Sequence, residues 1–175
     1  MKLVEDSELA ADMHRAAQLT GRFVLRSGAV SDKYFDKFQF ESDPALLRRV
    51  AARMLALLPA KTEALAGLEL GGVPIATAMA LESGLPAVFV RKAPKTYGTC
   101  RAVEGQDVAG RKVVIVEDVI STGGAIVDGS VHLREAGANI TGIVCALWRG
   151  AGEPAIPALP QVPVWAAFLQ SELER

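Results

Sequence analysis

Cysteine and histidine are rare in this sequence, and its net charge is small. Its 175 residues include two cysteines and two histidines, and the formal net charge is −1. Cys100 and Cys145 stand neither in a CxxC pair nor near a histidine, so we expect free thiols and no structural zinc site. His14 and His132 lie in helical patterns among charged residues, which predicts surface roles. The low charge, with a pI of about 6.1, is not typical of a bulk nucleic-acid binder.

Long apolar runs are absent as well. No stretch approaches the roughly 20 apolar residues of a membrane-spanning helix. The N-terminal sequence MKLVEDSELAADMHR carries acids where a secretory signal peptide has cations and an apolar core. Since 50% of the residues are apolar, the chain is expected to be globular. We therefore predict a cytoplasmic protein without membrane segments, with one domain over residues 1–175.

Strand and helix patterns alternate through the middle of the chain. Residues 44–58, 75–83 and 125–135 keep the apolar spacing of helices. Short apolar runs that predict strands lie between and beside them: ALAGLEL, AVFV, KVVIV and ITGIVCAL. Because these runs are apolar on both faces, they indicate a mainly parallel sheet covered by helices on both sides, an α/β fold.

Other elements flank this alternation. A first helix is predicted from Asp6 or Ser7 to about Leu19, and RFVLRSGAVSDKYFDKF predicts a hairpin. GGVP, residues 71–74, predicts a loop. The polar, glycine-containing stretch 91–110 predicts a long segment that is mobile without ligand. The proline-rich tail AIPALPQVPVWAAFL predicts a final edge strand.

The stretch KVVIVEDVISTGGA, residues 112–125, carries the clearest functional pattern. An apolar strand runs into Glu117 and Asp118, and a turn of small residues then opens the next helix. Ligands of doubly wound sheets bind beyond the carboxyl ends of strands, and the first N–H groups of a helix bind anions. A phosphate fits this turn, and since the carboxylates would repel it, they should face sugar hydroxyls or a metal ion. Together these features indicate a ribose phosphate.

A plainer explanation of the same stretch is a helix cap after a buried strand, with two surface acids. The common nucleotide motifs GxxxxGK[ST] and GxGxxG are absent. However, VVIVEDVISTGGA closely resembles the phosphoribosyl-pyrophosphate (PRPP) signature of type I phosphoribosyltransferases. The resemblance implies that family's fold, with a small N-terminal hood over about residues 1–42. It also implies that Glu117 and Asp118 contact the ribose hydroxyls. The PRPP phosphate would then lie on Val119, Ile120, Ser121, Thr122, Gly123, Gly124 and Ala125.

Two further segments resemble orotate phosphoribosyltransferases in particular. FVLRSGAVSDKYFD matches their N-terminal segment and implies orotate contacts for Arg26, Tyr34 and Phe35, with Ser121 beside them. In CALWRG, Arg149 matches an arginine that holds the orotate carboxylate, a group that guanidinium binds through two parallel hydrogen bonds. Relatives usually have an aspartate before this arginine, where this chain has Trp148. The plainer explanations are a hairpin with core aromatics and an exposed arginine at a strand end.

The segment VRKAPKTYGT resembles the mobile catalytic loop of the same family. Arg91, Lys92 and Lys95 match its cations, which implies that they bind pyrophosphate and act in catalysis together with Asp118. Tyr97 stands where many relatives have histidine; its phenol can donate to a phosphate oxygen, but a histidine proton shuttle is not implied. A solvated loop is the alternative explanation for these charges.

ELGGVPIATA resembles the family's pyrophosphate loop. Gly71 and Gly72 allow close backbone approach, and the resemblance implies a non-proline cis peptide bond between Glu69 and Leu70. Some relatives have lysine at the position of Gly71, so backbone groups would do more of the binding here. A plain strand-to-helix turn is the alternative.

The resemblance as a whole implies an orotate phosphoribosyltransferase of pyrimidine synthesis. It implies Mg²⁺ as cofactor, held mainly by PRPP and near Glu117 and Asp118, with no protein ligand assigned to it. It also implies a homodimer whose catalytic loop reaches the neighbouring subunit's site, and no nucleic-acid or membrane partner. Two alternatives stay open at this point: a related transferase acting on a purine or uracil, and a non-catalytic PRPP-sensing regulator that binds RNA or DNA.

Overall fold

The computed structural model describes residues 2–25, 28–98 and 100–173. These residues form six helices and eight strands. The helices are α1 (Lys2–Ala17), α2 (Lys37–Glu41), α3 (Pro44–Leu55), α4 (Gly72–Ser83), α5 (Gly124–Glu135) and α6 (Gln170–Leu173). The strands are β1 (Gln18–Val24), β2 (Val30–Phe35), β3 (Ala64–Leu68), β4 (Ala87–Val90), β5 (Val103–Glu104), β6 (Lys112–Ile120), β7 (Asn139–Trp148) and β8 (Val164–Leu169).

Six strands form one sheet in the order β5-β4-β3-β6-β7-β8. Only the short β5 runs antiparallel to its neighbour; the other pairs are parallel. This confirms the predicted α/β class and the C-terminal edge strand. From β3 the chain continues to β4 on one side, and from β6 to β7 on the other. The strand order therefore reverses between β3 and β6, and ligands of such sheets bind in the crevice beyond these two strands.

The N-terminal segment forms the predicted hairpin. β1 and β2 pair antiparallel, and β1 begins at Gln18, which is paired with Phe35. Helix α1 accordingly ends at Ala17, two residues earlier than the sequence predicts, because the hairpin takes up the following residues. The short helix α2, which the sequence analysis did not predict, follows the hairpin and begins with Asp36 as its cap. Arg26 and Ser27 lie outside the described residues.

Two apolar layers pack on opposite faces of the sheet. Strand β6 supplies both, with Val114 and Val116 facing α1, α3 and α4, and Val113 and Ile115 facing the other way. Helix α3 begins as predicted, since the Asp43 carboxylate accepts hydrogen bonds from the two N–H groups of Ala45 and Leu46. In the described residues, no helix combines the length and the apolar composition needed to cross a bilayer.

The connection from β3 to α4 passes unusually close to β6. A Cβ atom on Gly72 would overlap the carbonyl oxygen of Val116, and one on Gly67 would lie 2.6 Å from the carbonyl oxygen of Gly72. GGVP is also not the loop that the sequence predicts, because Gly71 takes a helical conformation as N-cap and α4 begins at Gly72. Gly67 and Gly72 thus let helix α4 begin directly against strand β6.

Gly72→Ala should destabilise the protein, although alanine is ordinarily better than glycine in a helix by about 1 kcal/mol. The added methyl group has no room beside the Val116 backbone, and such overpacking costs ~1–3 kcal/mol. Gly124→Ala is the matched control at the start of α5, where the nearest atom to a new Cβ is 4.0 Å away. Urea denaturation measures both variants, and equal stabilities would contradict the steric explanation.

Candidate active site

The two acids of the signature, Glu117 and Asp118, lie within strand β6. The sequence analysis instead expected them at the carboxyl end of the strand. Strand β6 continues to Ile120, and Glu117 is paired with Cys145 and Ile120 with Trp148 of β7. The reason is the length of β7, whose ten residues extend the pairing past the apolar part of β6. As a result Glu117 is only 7% exposed and Asp118 is fully buried.

Asp118 is held from three sides. One carboxylate oxygen accepts a hydrogen bond from the N–H of Val119 at 2.5 Å. The other forms an ion pair with the Lys37 ammonium at 2.6 Å. On the side of α4, a Cβ on Gly71 would overlap the carboxylate, so Gly71 is needed for this close contact. The predicted pyrophosphate loop and the predicted sugar-binding acid therefore touch.

Two further carboxyl groups join Asp118 and Lys37 in a buried cluster, which we call the carboxyl cluster. Glu117 accepts a hydrogen bond from the backbone N–H of Asp118 at 3.0 Å. Glu41 lies one helical turn after Lys37 on α2 and is 6% exposed. Neither Lys37 nor Glu41 was among the predicted site residues. Their four-residue spacing in DKFQFE is a possible helical signal for a shared face, but α2 itself was not predicted.

Ionisation in the carboxyl cluster is uneven. Burial raises the pKa of both Glu41 and Glu117 to about 9. The hydrogen bond to Asp118 and its negative charge add to this effect. Burial also opposes the ionisation of Asp118, but hydrogen bonds from Glu117, Lys37 and Glu41 outweigh it and lower the pKa of Asp118. At neutral pH the cluster therefore holds one carboxylate, Asp118, and one ammonium, Lys37.

The turn after β6 has the geometry of an anion site. Ser121 and Thr122 are exposed. Gly123 has φ 77° and caps α5, and a side chain there would also meet Ile156. The first N–H groups of the 12-residue helix α5 point into this turn. Residues 121–125 of the predicted phosphate-binding segment thus form a glycine-dependent turn at a helix N-terminus, whereas Val119 and Ile120 lie in strand β6.

A cleft of about 510 Å³ brings the turn together with the first two loop cations. It lies between the carboxyl ends of β3 and β4 and the start of α5. Its lining residues are Leu68, Glu69, Val90, Arg91, Lys92, Thr122, Gly124, Ala125, Asp128 and Gly129. Glu117 and Asp118 do not line it. This anion cleft and the carboxyl cluster are neighbouring parts of the site, since Glu69 lines the cleft and Gly71 of the same loop lies against Asp118.

The loop after β3 connects these two parts. The bond between Glu69 and Leu70 is cis, which confirms the expectation from the resemblance. The Glu69 carboxylate accepts a hydrogen bond from the N–H of Lys92 at 2.9 Å, and Glu69 N–H donates to Val90. Glu69 thereby ties the pyrophosphate-loop segment to the start of the cationic segment. No simple sequence signal distinguishes this acid from a surface glutamate.

The later residues of the cationic segment lie elsewhere. Lys95 forms an ion pair with Glu104 at 2.5 Å, and both side chains are about three-quarters buried. Tyr97 is 71% exposed, with the Lys95 ammonium 6.0 Å from its ring. Strand β5, which carries Glu104, interrupts the stretch that the sequence predicts to be loop. The structure thus brings Arg91 and Lys92 to the cleft and leaves Lys95 paired within its own segment.

The predicted orotate residues are divided between two faces of the hairpin. The Arg149 guanidinium lies 5.8 Å from the Phe35 ring centre, and Arg149 N–H donates to the carbonyl of Ile120. Tyr34 instead stacks on Phe23, with ring centres 5.4 Å apart. Neighbouring strand residues point to opposite faces, which explains the division. Arg26 lies outside the described residues.

Trp148, the residue before Arg149, orders the turn at the end of β7. It is 5% exposed, and its indole N–H donates to the carbonyl of Gly152 at 3.1 Å. This bond closes the turn that follows Arg149. The arginine is therefore held by the backbone of β6 and the Phe35 ring, and an ordered turn follows it.

The carboxyl cluster does not form a cage for a metal ion. In the described parts of the chain, no group of three or more histidine, cysteine, aspartate or glutamate side chains could hold one. The Asp118 oxygens are already bonded to Val119 and Lys37, and Glu117 is protonated at neutral pH. A divalent cation at this site would need most of its ligands from a substrate.

Glu41→Gln should flatten the loss of stability at alkaline pH. Folded Glu41 releases its proton near pH 9, whereas its ordinary pKa is 4.5. Between these two pKa values the folded state therefore binds more protons than the unfolded state. The stability that Glu41 contributes is complete below pH 4.5 and is lost as the pH rises towards 9. Glutamine does not titrate. Urea denaturation at about pH 6 and about pH 9 should show a smaller difference for the variant than for wild type. The exposed Glu153→Gln is the control, and a wild-type pH profile for Glu41→Gln would contradict the assignment.

Comparison with known proteins agrees with this geometry. The family model described as phosphoribosyl transferase domain matches residues 39–162. The orotate phosphoribosyltransferase of a Nocardioides species is 56% identical over 149 residues, which are 85% of this chain and 83% of that protein. The orotate phosphoribosyltransferase of Methanocella arvoryzae is 42% identical over 150 residues, 84% of this chain and 85% of the relative.

Solved structures give the same result. Mycobacterium tuberculosis orotate phosphoribosyltransferase in complex with Fe(III) dicitrate has a TM-score of 0.84 and 28% identity, covering 98% of this chain and 99% of that one. The same enzyme in complex with PRPP has a TM-score of 0.80 and 26% identity, with the same coverage. With its reversed strand order, its anion turn and these relatives, the chain belongs to the phosphoribosyltransferase family and, within it, to the orotate phosphoribosyltransferases.

Proposed function

We propose that this chain transfers the phosphoribosyl group of PRPP to orotate at the crevice beyond β3 and β6, giving orotidine 5′-monophosphate and pyrophosphate. The observation that carries the proposal is the convergence, at the reversal of strand order, of an anion-binding turn, two cations and an ionised carboxylate. The arginine at the end of β7 lies beside them. This is the reaction named by the relatives' enzyme name, and it is a step of pyrimidine synthesis.

PRPP would bind across both parts of the site. Its 5′-phosphate would lie on the turn 121–125, where helix N–H groups and two hydroxyls donate hydrogen bonds. Its pyrophosphate would face Arg91 and Lys92 in the cleft, with backbone groups at Gly71 and Gly72 nearby. Because Asp118 is buried, a neighbouring side chain of the cluster would have to move aside before Asp118 accepts from a ribose hydroxyl, with Glu117 beside it. Orotate would lie beside Phe35 and Arg149, its carboxylate paired with the guanidinium.

In the reaction, N1 of the orotate anion forms a bond to the anomeric carbon as the bond to the pyrophosphate oxygen breaks. Negative charge grows on the leaving group, and Arg91, Lys92 and Lys95 would stabilise it. Lys95 must leave Glu104 to take part. Because orotate can react as an anion, a strong protein base is not required. Closure of the cationic segment would exclude water from the ribosyl centre.

Mg²⁺ is proposed to enter with PRPP. The side chains of the carboxyl cluster offer no set of free ligands, so pyrophosphate and ribose oxygens of the substrate would supply most of its coordination. A homodimer, a catalytic segment shared between subunits and a cytoplasmic location are likewise proposals that rest on the family and the sequence.

The direct test uses purified protein with PRPP and Mg²⁺ and, in parallel, orotate, uracil or hypoxanthine. Loss of orotate absorbance with release of pyrophosphate is the expected result. Turnover of uracil or hypoxanthine in place of orotate would assign a different transferase. Binding of PRPP without turnover of any base would support a regulator instead.

Arg149→Ala should weaken orotate binding much more than PRPP binding. Loss of a charge-assisted pair costs ~1.5–3 kcal/mol, or roughly 10- to 150-fold in affinity. Steady-state kinetics with each substrate varied in turn would measure the split. Arg134→Ala removes an exposed arginine from the last turn of α5 and serves as the control. An unchanged KM for orotate would place its carboxylate elsewhere, with Arg26 as the next candidate.

Mixed dimers test whether the cationic segment serves the neighbouring subunit. Lys95→Ala should lower kcat by ~10²–10³, the usual effect of losing one transition-state donor. Asp118→Asn should lower kcat to a similar extent. Once subunits of the two variants exchange, half of the dimers are mixed and each has one intact site. Activity should then return to about a quarter of wild type. If activity stays at the level of the separate variants after exchange is proven by mass spectrometry, the segment serves its own chain.

A further inference from the structure

Lys37 links the N-terminal segment to the buried acid of β6. Its ammonium lies 2.6 Å from Asp118, whose side chain is 0% exposed, while its own side chain is 35% exposed. Lys37 occupies the first position of α2. That helix is fixed at its start by the Asp36 carboxylate, which accepts from the N–H of Phe38, and by the fully buried Phe40. The ammonium is thus delivered to Asp118 from a fixed helix.

An ionised carboxylate without solvent contact needs a partner of opposite charge. The other side chains around Asp118 are the carboxyl groups of Glu117 and Glu41, which add no positive charge. Arg91 and Lys92 line the neighbouring anion cleft, and Lys95 is paired with Glu104. Among the described residues, Lys37 is the cation that contacts this acid.

From this arrangement we infer that Lys37 is a positioning residue for PRPP, which keeps the Asp118 carboxylate charged and correctly oriented for the ribose hydroxyls. The inference rests on the proposed role of Asp118. Lys37 acts through Asp118 and needs no contact with the substrate. An uncharged residue in its place would leave the acid buried without a counter-charge, and the acid would then protonate or turn away.

The same residue also couples the sugar and base sides of the site. Phe35, whose ring lies against the Arg149 guanidinium, is two residues before Lys37. Between them, Asp36 both caps α2 and donates its backbone N–H to Ala17. Any shift of the hairpin end that moves Phe35 therefore also moves the Asp118 counter-charge. Orotate-side and ribose-side contacts are built on one short rigid segment.

The first test is direct binding of PRPP to Lys37→Met, measured by calorimetry without orotate. We expect the dissociation constant to rise on the order of 10- to 100-fold, as for loss of a charged hydrogen bond. The KM for orotate should change much less. Lys37→Arg keeps the charge and should recover most of the affinity. Lys61→Met is the matched control, because Lys61 is an exposed lysine that precedes the amino end of β3, whereas the site lies beyond the carboxyl ends of the strands.

The second test combines Lys37→Met with Asp118→Asn. Because Lys37 acts through the acid, adding Lys37→Met to Asp118→Asn should weaken PRPP binding by no more than about twofold. Losses that multiply would show an independent role and overturn the inference. This comparison removes both buried charges, so it remains decisive even if Lys37→Met alone does not fold.

The outcomes separate this inference from the proposed function. Wild-type PRPP affinity in Asp118→Asn would remove the sugar-binding role of Asp118 itself. Weak binding in Asp118→Asn together with normal binding in Lys37→Met would overturn only the role of Lys37. Tighter binding in Lys37→Met would also overturn it, because Lys37 would then be competing with the sugar for the carboxylate.

Discussion

The burial of one ionised carboxylate at the carboxyl end of β6 constrains the whole site. Asp118 has no solvent contact, so each of its oxygens must be satisfied by the protein. Val119 supplies a backbone N–H, Lys37 supplies the charge, and Gly71 supplies the space. These three groups come from β6, the N-terminal segment and the loop after β3. A single buried charge thus fixes how three separate parts of the chain meet.

The same arrangement resolves a conflict of charges that the signature contains. A phosphate bound at the turn 121–125 would lie within a few residues of Glu117 and Asp118. In one open pocket the two acids would repel it. The structure places the acids inside the paired strand, where Glu117 is protonated and Asp118 is matched by Lys37. Thr122, Gly124 and Ala125 of the turn line the anion cleft together with the cations Arg91 and Lys92. The anion cleft therefore faces little uncompensated negative charge from β6.

The sequence predicts the sheet better than it predicts the electrostatics. Apolar periodicity is local, so it identified the hairpin and every strand of the main sheet except the two-residue β5. The end of β6 could not be predicted in this way, because Glu117 and Asp118 have the composition of a strand terminus and only pairing with the long β7 keeps them in the sheet. The partnership of Lys37 with Asp118 joins residues far apart in sequence and depends on tertiary packing. The resemblance identified Asp118 but gave no information about its counter-charge.

The Lys95–Glu104 ion pair holds Lys95 in this structure, and we expect pyrophosphate to replace it when the substrate binds. Its pair with Glu104 keeps the proposed catalytic cation within its own segment. Both side chains are about three-quarters buried, so the pair is held more firmly than an exposed one, and its release needs a partner of higher charge. Pyrophosphate carries several negative charges and would be bound by Arg91 and Lys92 as well, so its attraction for Lys95 should exceed that of one glutamate. The Lys95–Glu104 pair is therefore one that this substrate can replace.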